Sequence, residues 1–373
     1  MKSSKKSFPP NKFWKYYGPT LVVFIVATAF ALLVLATNQG DPMAFVRLGT
    51  RFSQGDPNGT TGYDGQFVYQ IALNPVGAGP YIDIPAYRYQ RILYPLTARL
   101  VSLGQPEIIP WVLIGLNIIA LAGGTHVMDL ILARKRLSRW YAVTVGLFAG
   151  QLVSLRFAVN EPFSLTFALL AIYAFETERP RPGAILLALS VLSKETALAF
   201  AGGYLLYFFI KKQWRLLIET GLISLAPFLL LQAILWFAFG EIALRSGGEG
   251  ATAFSFIPFG SLVAFGLNDP ETFTAVLLML GPLILLPTLA LMVSLSRYFW
   301  RKELAPVAII LALHVIMIAT LPYSTYVDLP GILRLSSGLV VATIAFAAIT
   351  RSRRMLNYSL LWNASLVYLR FFV

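Results

Sequence analysis

The sequence predicts an all-α protein that crosses a membrane many times. About 9 full transmembrane helices, one half-length helical hairpin and a first outer loop with short interfacial helices are expected. Three observations lead there. Of the 373 residues, 57% are hydrophobic and only 13% charged, whereas soluble domains carry roughly 25% charged residues. Apolar runs near the length that crosses hydrocarbon, about 20 residues, recur along the chain, and mean hydropathy is +0.70. Basic residues stand in short clusters between those runs. The net charge of +13 therefore reads as topology, with Lys and Arg held on the cytoplasmic side. A nucleic-acid partner is not expected.

The first run, 19–37, follows Lys2, Lys5, Lys6, Lys12 and Lys15. A signal peptide has the same layout. Thr37-Asn38-Gln39 makes a poor cleavage site, so the run reads as a retained helix with a cytoplasmic N-terminus. Further spans are expected at 108–132, 140–156, 161–176, 216–239, 273–296, 304–321, 335–350 and 355–373. Four basic clusters mark the cytoplasmic ends: Arg134, Lys135, Arg136 and Arg139; Lys211, Lys212 and Arg215; Arg297, Arg301 and Lys302; Arg351, Arg353 and Arg354. Alternation places 38–107, a turn at 157–160, 240–272 and 322–334 outside.

Residues 183–210 break this count, because both flanks read as inside. Two half-length helices, 183–192 and 197–210, satisfy the charge rule. Their apex is Ser193-Lys194-Glu195-Thr196, and polar groups at membrane depth belong against protein or a wet cavity. Residues around Ile92, Leu96 and Leu100 form a short amphipathic helix suited to the interface. The chain reads as one transmembrane domain, 1–373, without an internal repeat. Its first periplasmic loop, 38–91, carries the candidate site.

That loop holds Asp41, Asp56, Asp64 and Asp83. Asp64 lies in Gly62-Tyr63-Asp64-Gly65-Gln66-Phe67, where glycines permit a sharp turn and close approach of a ligand. It precedes an expected short helix. There it is either a simple N-cap or a carboxylate that serves as base or metal ligand. Pro85-Ala86-Tyr87-Arg88-Tyr89-Gln90-Arg91 follows. Its tyrosines fit an interfacial belt, while Arg88 and Arg91 suit bidentate phosphate binding or contact with lipid phosphate. Arg156, Glu161, Lys194, Glu195 and Arg334 lie at or within spans on the same outer side. Neighbour pairing of Arg156 with Glu161 and of Lys194 with Glu195 is the plain structural reading. With no cysteine, disulfides and thiolate metal sites are excluded. His126 and His314 lie in separate apolar runs and read as packing residues.

Tyr63-Asp64-Gly65-Gln66-Phe67-Val68-Tyr69-Gln70-Ile71-Ala72 and Tyr87-Arg88-Tyr89-Gln90-Arg91-Ile92-Leu93-Tyr94-Pro95-Leu96 resemble bacterial membrane proteins of cell-surface glycopolymer formation. These belong to the GT-C superfamily of polyprenyl-phosphate-sugar glycosyltransferases. Asn160-Glu161-Pro162 and Leu192-Ser193-Lys194-Glu195-Thr196-Ala197-Leu198 resemble the same family. The first loop is also similar to the aspartate-glycine motif of GPI-anchor mannosyltransferases. The resemblance covers roughly 60–200, and the C-terminal half by helix pattern.

What the resemblance implies is a bacterial inner-membrane, GT-C-like inverting glycosyltransferase with its site facing the periplasm. It would move a sugar from a polyprenyl-phosphate donor to a glycan or glycolipid acceptor. Asp64 takes the catalytic position, and Lys194 falls where such enzymes contact the donor phosphate. Tyr63, Gln66, Tyr87, Arg88, Tyr89, Gln90, Arg91, Glu161, Glu195 and Arg334 are candidate substrate contacts. Many members carry two adjacent-but-one acids in this loop; here Gly65 and Gln66 follow Asp64. A divalent cation (Mg or Mn) on Asp64 and Asp83, or on Glu161, is thereby an open expectation. Two rival functions remain: a flippase for a lipid-linked sugar, which predicts paired discontinuous helices in two related halves, and a non-catalytic scaffold in which Asp64 is dispensable.

Overall fold

The computed structural model describes residues 10–373, with the side chains of 10–13 and 15 left aside. Lys2, Lys5 and Lys6 thus lie outside the described residues, as do the side chains of Lys12 and Lys15. All regular structure among the described residues is helical. Five helices have the length and composition to cross a membrane: α1 (Pro10–Thr37, apolar from Tyr16), α5 (Ile109–Arg134), α10 (Trp214–Phe239), α11 (Pro270–Trp300) and α13 (Leu329–Ile349). Helix α13 sits at the centre of the bundle, and almost every residue from Ile332 to Ala348 is buried. The outer helices leave Leu222, Leu229, Leu230, Val293 and Trp300 exposed, as a lipid-facing surface would require.

Two of the other expected spans take more broken forms. Residues 140–156 are not one helix: Val143–Leu147 and α6 (Ala149–Arg156) meet at an extended Phe148. Residues 355–373 form a seven-residue α-helix, Arg353–Ser359, and then a 3-10 helix, Leu360–Phe371. This last segment lies against the breaks of its neighbours. Ser365 Oγ accepts the Ala149 amide at 2.9 Å, just after the Phe148 break. Trp362 Nε1 donates to Leu283 O at 2.6 Å, inside the π-turn Gly281–Leu285 of α11. Backbone groups freed by a helix interruption cannot stay unpaired in an apolar bundle, and side chains from the C-terminal segment pair them here.

Helices α7 (Glu161–Glu176), α8 (Pro180–Ser193), α9 (Leu198–Ile210) and α12 (Pro306–Ala319) are shorter. A 14-residue helix spans only about 21 Å. The hairpin expected over 183–210 is present. Phe175, near the end of α7, meets Gly183 at the start of α8 and stacks on Tyr204 in the middle of α9, at 4.0 Å. The chain therefore climbs through α8, turns at Lys194–Ala197 and descends through α9. Lys194 is extended and Glu195–Ala197 forms one 3-10 turn.

The helix directions put the four basic clusters at one end of the bundle and the hairpin apex at the other. Lys135 pairs with Glu176 at 2.5 Å, Arg181 pairs with Glu219, and Tyr141 reaches Asn357, all at the basic end. Asn117 donates to Val159 O at 3.0 Å at the apex end. The first loop folds over that apex end as short helices, among them α2 (Gly65–Leu73), α3 (Pro85–Tyr89) and α4 (Leu93–Val101). Helix α4 packs Tyr94 and Ala98 inward and leaves Leu96 and Leu100 exposed. The two histidines are packing residues: His126 Nδ1 lies 3.3 Å from Thr20 Oγ1, and His314 Nδ1 lies 2.9 Å from Ile310 O.

Candidate active site

The turn before α2 is built by close backbone contacts. Gly62 adopts φ +67°, and a Cβ there would come within 2.5 Å of Arg47 O. A Cβ on Gly65 would come within 2.1 Å of Phe157 O. These two approaches seat Tyr63 and Asp64 against the backbone of Arg47 and of Phe157, which caps the end of α6. Asp64 occupies the N-cap position of α2, yet its side chain makes no capping hydrogen bond. It turns instead toward two arginines.

Asp64 Oδ1 accepts from Arg88 Nη1 at 2.9 Å, and Oδ2 accepts from Arg334 Nη1 at 2.8 Å. Arg88 also forks onto Asp83, donating from Nε at 2.8 Å and from Nη2 at 2.7 Å. Arg334 continues to Glu161, whose Oε1 takes Nε at 2.9 Å and Lys194 Nζ at 2.5 Å. Glu161 Oε2 is buried and has no hydrogen-bond partner. Arg91 holds Glu195 through two bonds, at 2.8 and 2.6 Å, and Tyr87 Oη at 2.5 Å. Tyr63 Oη accepts from Arg334 at 3.1 Å and donates to Asp328 at 3.3 Å. The result is a charge network in which each carboxylate meets at least one cation or phenol.

Burial alone raises the Asp64 carboxyl, but Arg88, then Arg334 and Arg91, outweigh it and hold it far below the usual carboxylate range. Burial also opposes ionisation of Asp83, and Arg88 with the Ile84 and Glu249 amides overrides it, so this carboxyl is lowered too. The Tyr63 phenol is raised by burial and stays protonated. Asp328, partly buried beside Asp64, is raised by desolvation. Accessibility separates the carboxylates: the Asp64 side chain is 28% exposed, against 3% for Asp83 and Glu161 and 17% for Glu195. Asp64 is the member a ligand reaches most easily.

The structure thus joins Tyr63, Asp64, Tyr87, Arg88, Arg91, Glu161, Lys194, Glu195 and Arg334. It places three other expected contacts elsewhere. Gln66 is buried and closes the loop, accepting the Gly49 amide at 3.0 Å and donating to Thr61 O at 2.7 Å. Tyr89 is buried against Phe239. Gln90 is buried beside Gln232, 3.3 Å away. The neighbour pairings are also replaced. Lys194 chooses Glu161 and Glu195 chooses Arg91, while Arg156 donates to Phe372 O and to Ala44 O at 2.5 and 2.7 Å.

Asp64 and Asp83 do not fit a divalent ion as arranged. Arg88 lies between them and uses an oxygen of Asp64 and both oxygens of Asp83. Among the described residues no group of three or more His, Asp or Glu side chains is arranged to hold a metal. Sequence reasoning missed Asp328 and Glu249. Asp328 begins α13 ahead of Pro330, a position that could have flagged it. Glu249 sits in a glycine-rich turn, its amide donating to Asp83 at 3.1 Å and its carboxylate pairing with Arg51 at 2.5 Å.

Fold and site together define a helical membrane protein with a buried charge network at the end opposite its basic clusters. No family model, curated protein or solved structure matches the chain.

Proposed function

We propose that the chain is a GT-C-type inverting glycosyltransferase that uses a polyprenyl-phosphate sugar and works at the periplasmic face of a bacterial inner membrane. The observation that carries this reading is Asp64: the most open carboxylate of the network, bracketed by Arg88 and Arg334. Basic clusters at the opposite end fit a cytoplasmic face there, which directs the network outward.

In the resting arrangement Asp64 is a poor base, because two guanidinium groups stabilise its anion. A donor phosphate competes for the same cations, since arginine binds phosphate and carboxylate by the same fork geometry. As Arg88 and Arg334 turn to phosphate, Asp64 loses their stabilisation and its basicity rises. It then takes the proton of the acceptor hydroxyl. The acceptor oxygen forms its bond to the anomeric carbon as the carbon–oxygen bond to phosphate breaks, and polyprenyl phosphate leaves with the electron pair. Cations nearby stabilise that developing charge. Direct displacement inverts the anomeric carbon. Glu161 and Glu195 hold Lys194, Arg334 and Arg91 in place.

The test is consumption of a panel of polyprenyl-phosphate sugars by purified protein and by Asp64→Asn, with melting followed alongside. Loss of turnover in a variant that still folds and melts cooperatively supports the reading. Full turnover by the variant would sink it, and wild type inert toward every donor would favour flipping of a lipid-linked sugar.

A further inference from the structure

A cleft lies behind the Asp64 network, on the far side of Phe157. It encloses about 780 Å³ and is lined by Thr37, Asn38, Asp41, Arg47, Arg156 and Phe157, among others. Small-ligand pockets commonly hold about 300–1,000 Å³. Phe157 is the shared wall. Tyr63 packs on its ring with centroids 4.2 Å apart, while the guanidinium groups of Arg47 and Arg156 stand 5.7 and 5.3 Å from its centre.

These two arginines differ from those of the network. Arg88, Arg91 and Arg334 each face a carboxylate; among the described residues neither Arg47 nor Arg156 forms an ion pair. Arg156 spends Nε and Nη1 on backbone carbonyls, which hold the side chain in place without neutralising it. Arg47 makes no side-chain hydrogen bond among the described residues. Asp41, an acid lining the cleft, accepts the Met43 amide on Oδ1 at 2.8 Å and forms no ion pair with either arginine among the described residues. Two like charges over one ring repel each other, and an anion placed between them relieves both. Arg156 is half-buried and fixed by carbonyls, and Arg47 is exposed beside it, so an anion meets one cation already held in place and one open to solvent.

We infer that this cleft is a second anion site, in which Arg47 and Arg156 bind the phosphate of a phosphorylated solute or lipid headgroup, separately from the Asp64 network. The site needs no transfer chemistry.

Purified full-length protein in phosphatidylcholine nanodiscs is titrated with inorganic phosphate by calorimetry. In parallel, nanodiscs containing phosphatidylglycerol are used and retained lipid is counted by native mass spectrometry. Arg47→Gln is the principal variant, since its side chain holds no structural hydrogen bond; Arg156→Lys keeps the charge and loses the fork. Phosphate binding weakened about tenfold or more by Arg47→Gln, and less by Arg156→Lys, supports a site for a soluble phosphate. Retention of phosphatidylglycerol that Arg47→Gln abolishes, without binding of free phosphate, supports a headgroup site. Binding equal in wild type and both variants, or no binding of either probe, overturns the proposal. The readout is binding alone, so a chain that transfers no sugar still tests it.

Discussion

Lys194 Nζ donates to Glu161 Oε1 at 2.5 Å, and both side chains are almost wholly buried. The pair ties the apex of the α8–α9 hairpin to the first residue of α7. Arg334 joins the same oxygen from α13, so three separate helical elements converge on one carboxylate. A buried ion pair is weak evidence for net stability, but removing one partner is costly because the other charge is left uncompensated.

Glu161→Gln should therefore lower stability by about 3–5 kcal/mol, read as a fall in melting temperature of the purified protein. The double variant Glu161→Gln with Lys194→Met should recover part of that loss, since the stranded ammonium is gone. Additive losses in the double-mutant cycle would show that the two groups are not coupled.

Asp64→Asn should behave differently. Arg88 keeps Asp83 and Arg334 keeps Glu161, so no cation is stranded. Turnover should fall roughly 100-fold or more, the scale of a general base, while the melting temperature falls less than for Glu161→Gln. A loss of folding comparable to that of Glu161→Gln would make Asp64 a structural group.

The pH dependence of stability has a definite sign. Asp64 is lowered in the folded chain, so its contribution is full above the ordinary carboxylate value, about 4, and fades as pH falls below it. The difference in melting temperature between wild type and Asp64→Asn should be flat from about pH 5 to 8 and shrink below about pH 4. A difference that changes between pH 6 and 8 would mean that Asp64 titrates there.

Kinetics should report the release of Asp64 from its arginines. The free-enzyme profile, kcat/KM, should show no acid limb from Asp64 above about pH 4, while kcat should carry one at higher pH. Coincident limbs would argue that donor phosphate does not displace Asp64 from Arg88 and Arg334.

Gly65→Ala tests the seat of the loop. Its new Cβ would lie 2.1 Å from Phe157 O, a backbone atom, so α2 must shift. Activity should drop along with stability, and a melting curve and donor turnover equal to wild type would show that the turn is not held by this contact.

Sequence alone revealed much of the helical pattern. Uninterrupted apolar length marks α1, α5, α10, α11 and α13, because hydrocarbon admits only backbone that is internally paired. Polar Ser193-Lys194-Glu195-Thr196 between apolar halves marked the hairpin for the same reason. The loop blocks around Asp64 and Arg88 and the lone polar groups at Glu161 and Arg334 were visible as charges in unusual places. The break at Phe148 and the 3-10 course of 360–371 were not visible, since both segments are apolar enough to read as plain helices. Ser365 pairs the Ala149 amide freed at Phe148, and Trp362 pairs Leu283 O of the π-turn in α11, contacts that no local pattern encodes.

Pairing within the site was decided only by the tertiary structure. Local sequence fixes which side chains are charged, and charge has no direction along the chain. Adjacent Lys194 and Glu195 part company because the extended residue at the apex sends one toward α7 and the other toward Arg91. Gln66, Tyr89 and Gln90 left the site because the short helices of the loop turned them inward. Asp328 and Glu249 entered its surroundings because distant loops close over Tyr63 and Asp83. Hydropathy sets which segments cross the apolar layer, as a property of each segment alone. The site forms where segments far apart in sequence end at the same depth, and that is set by packing.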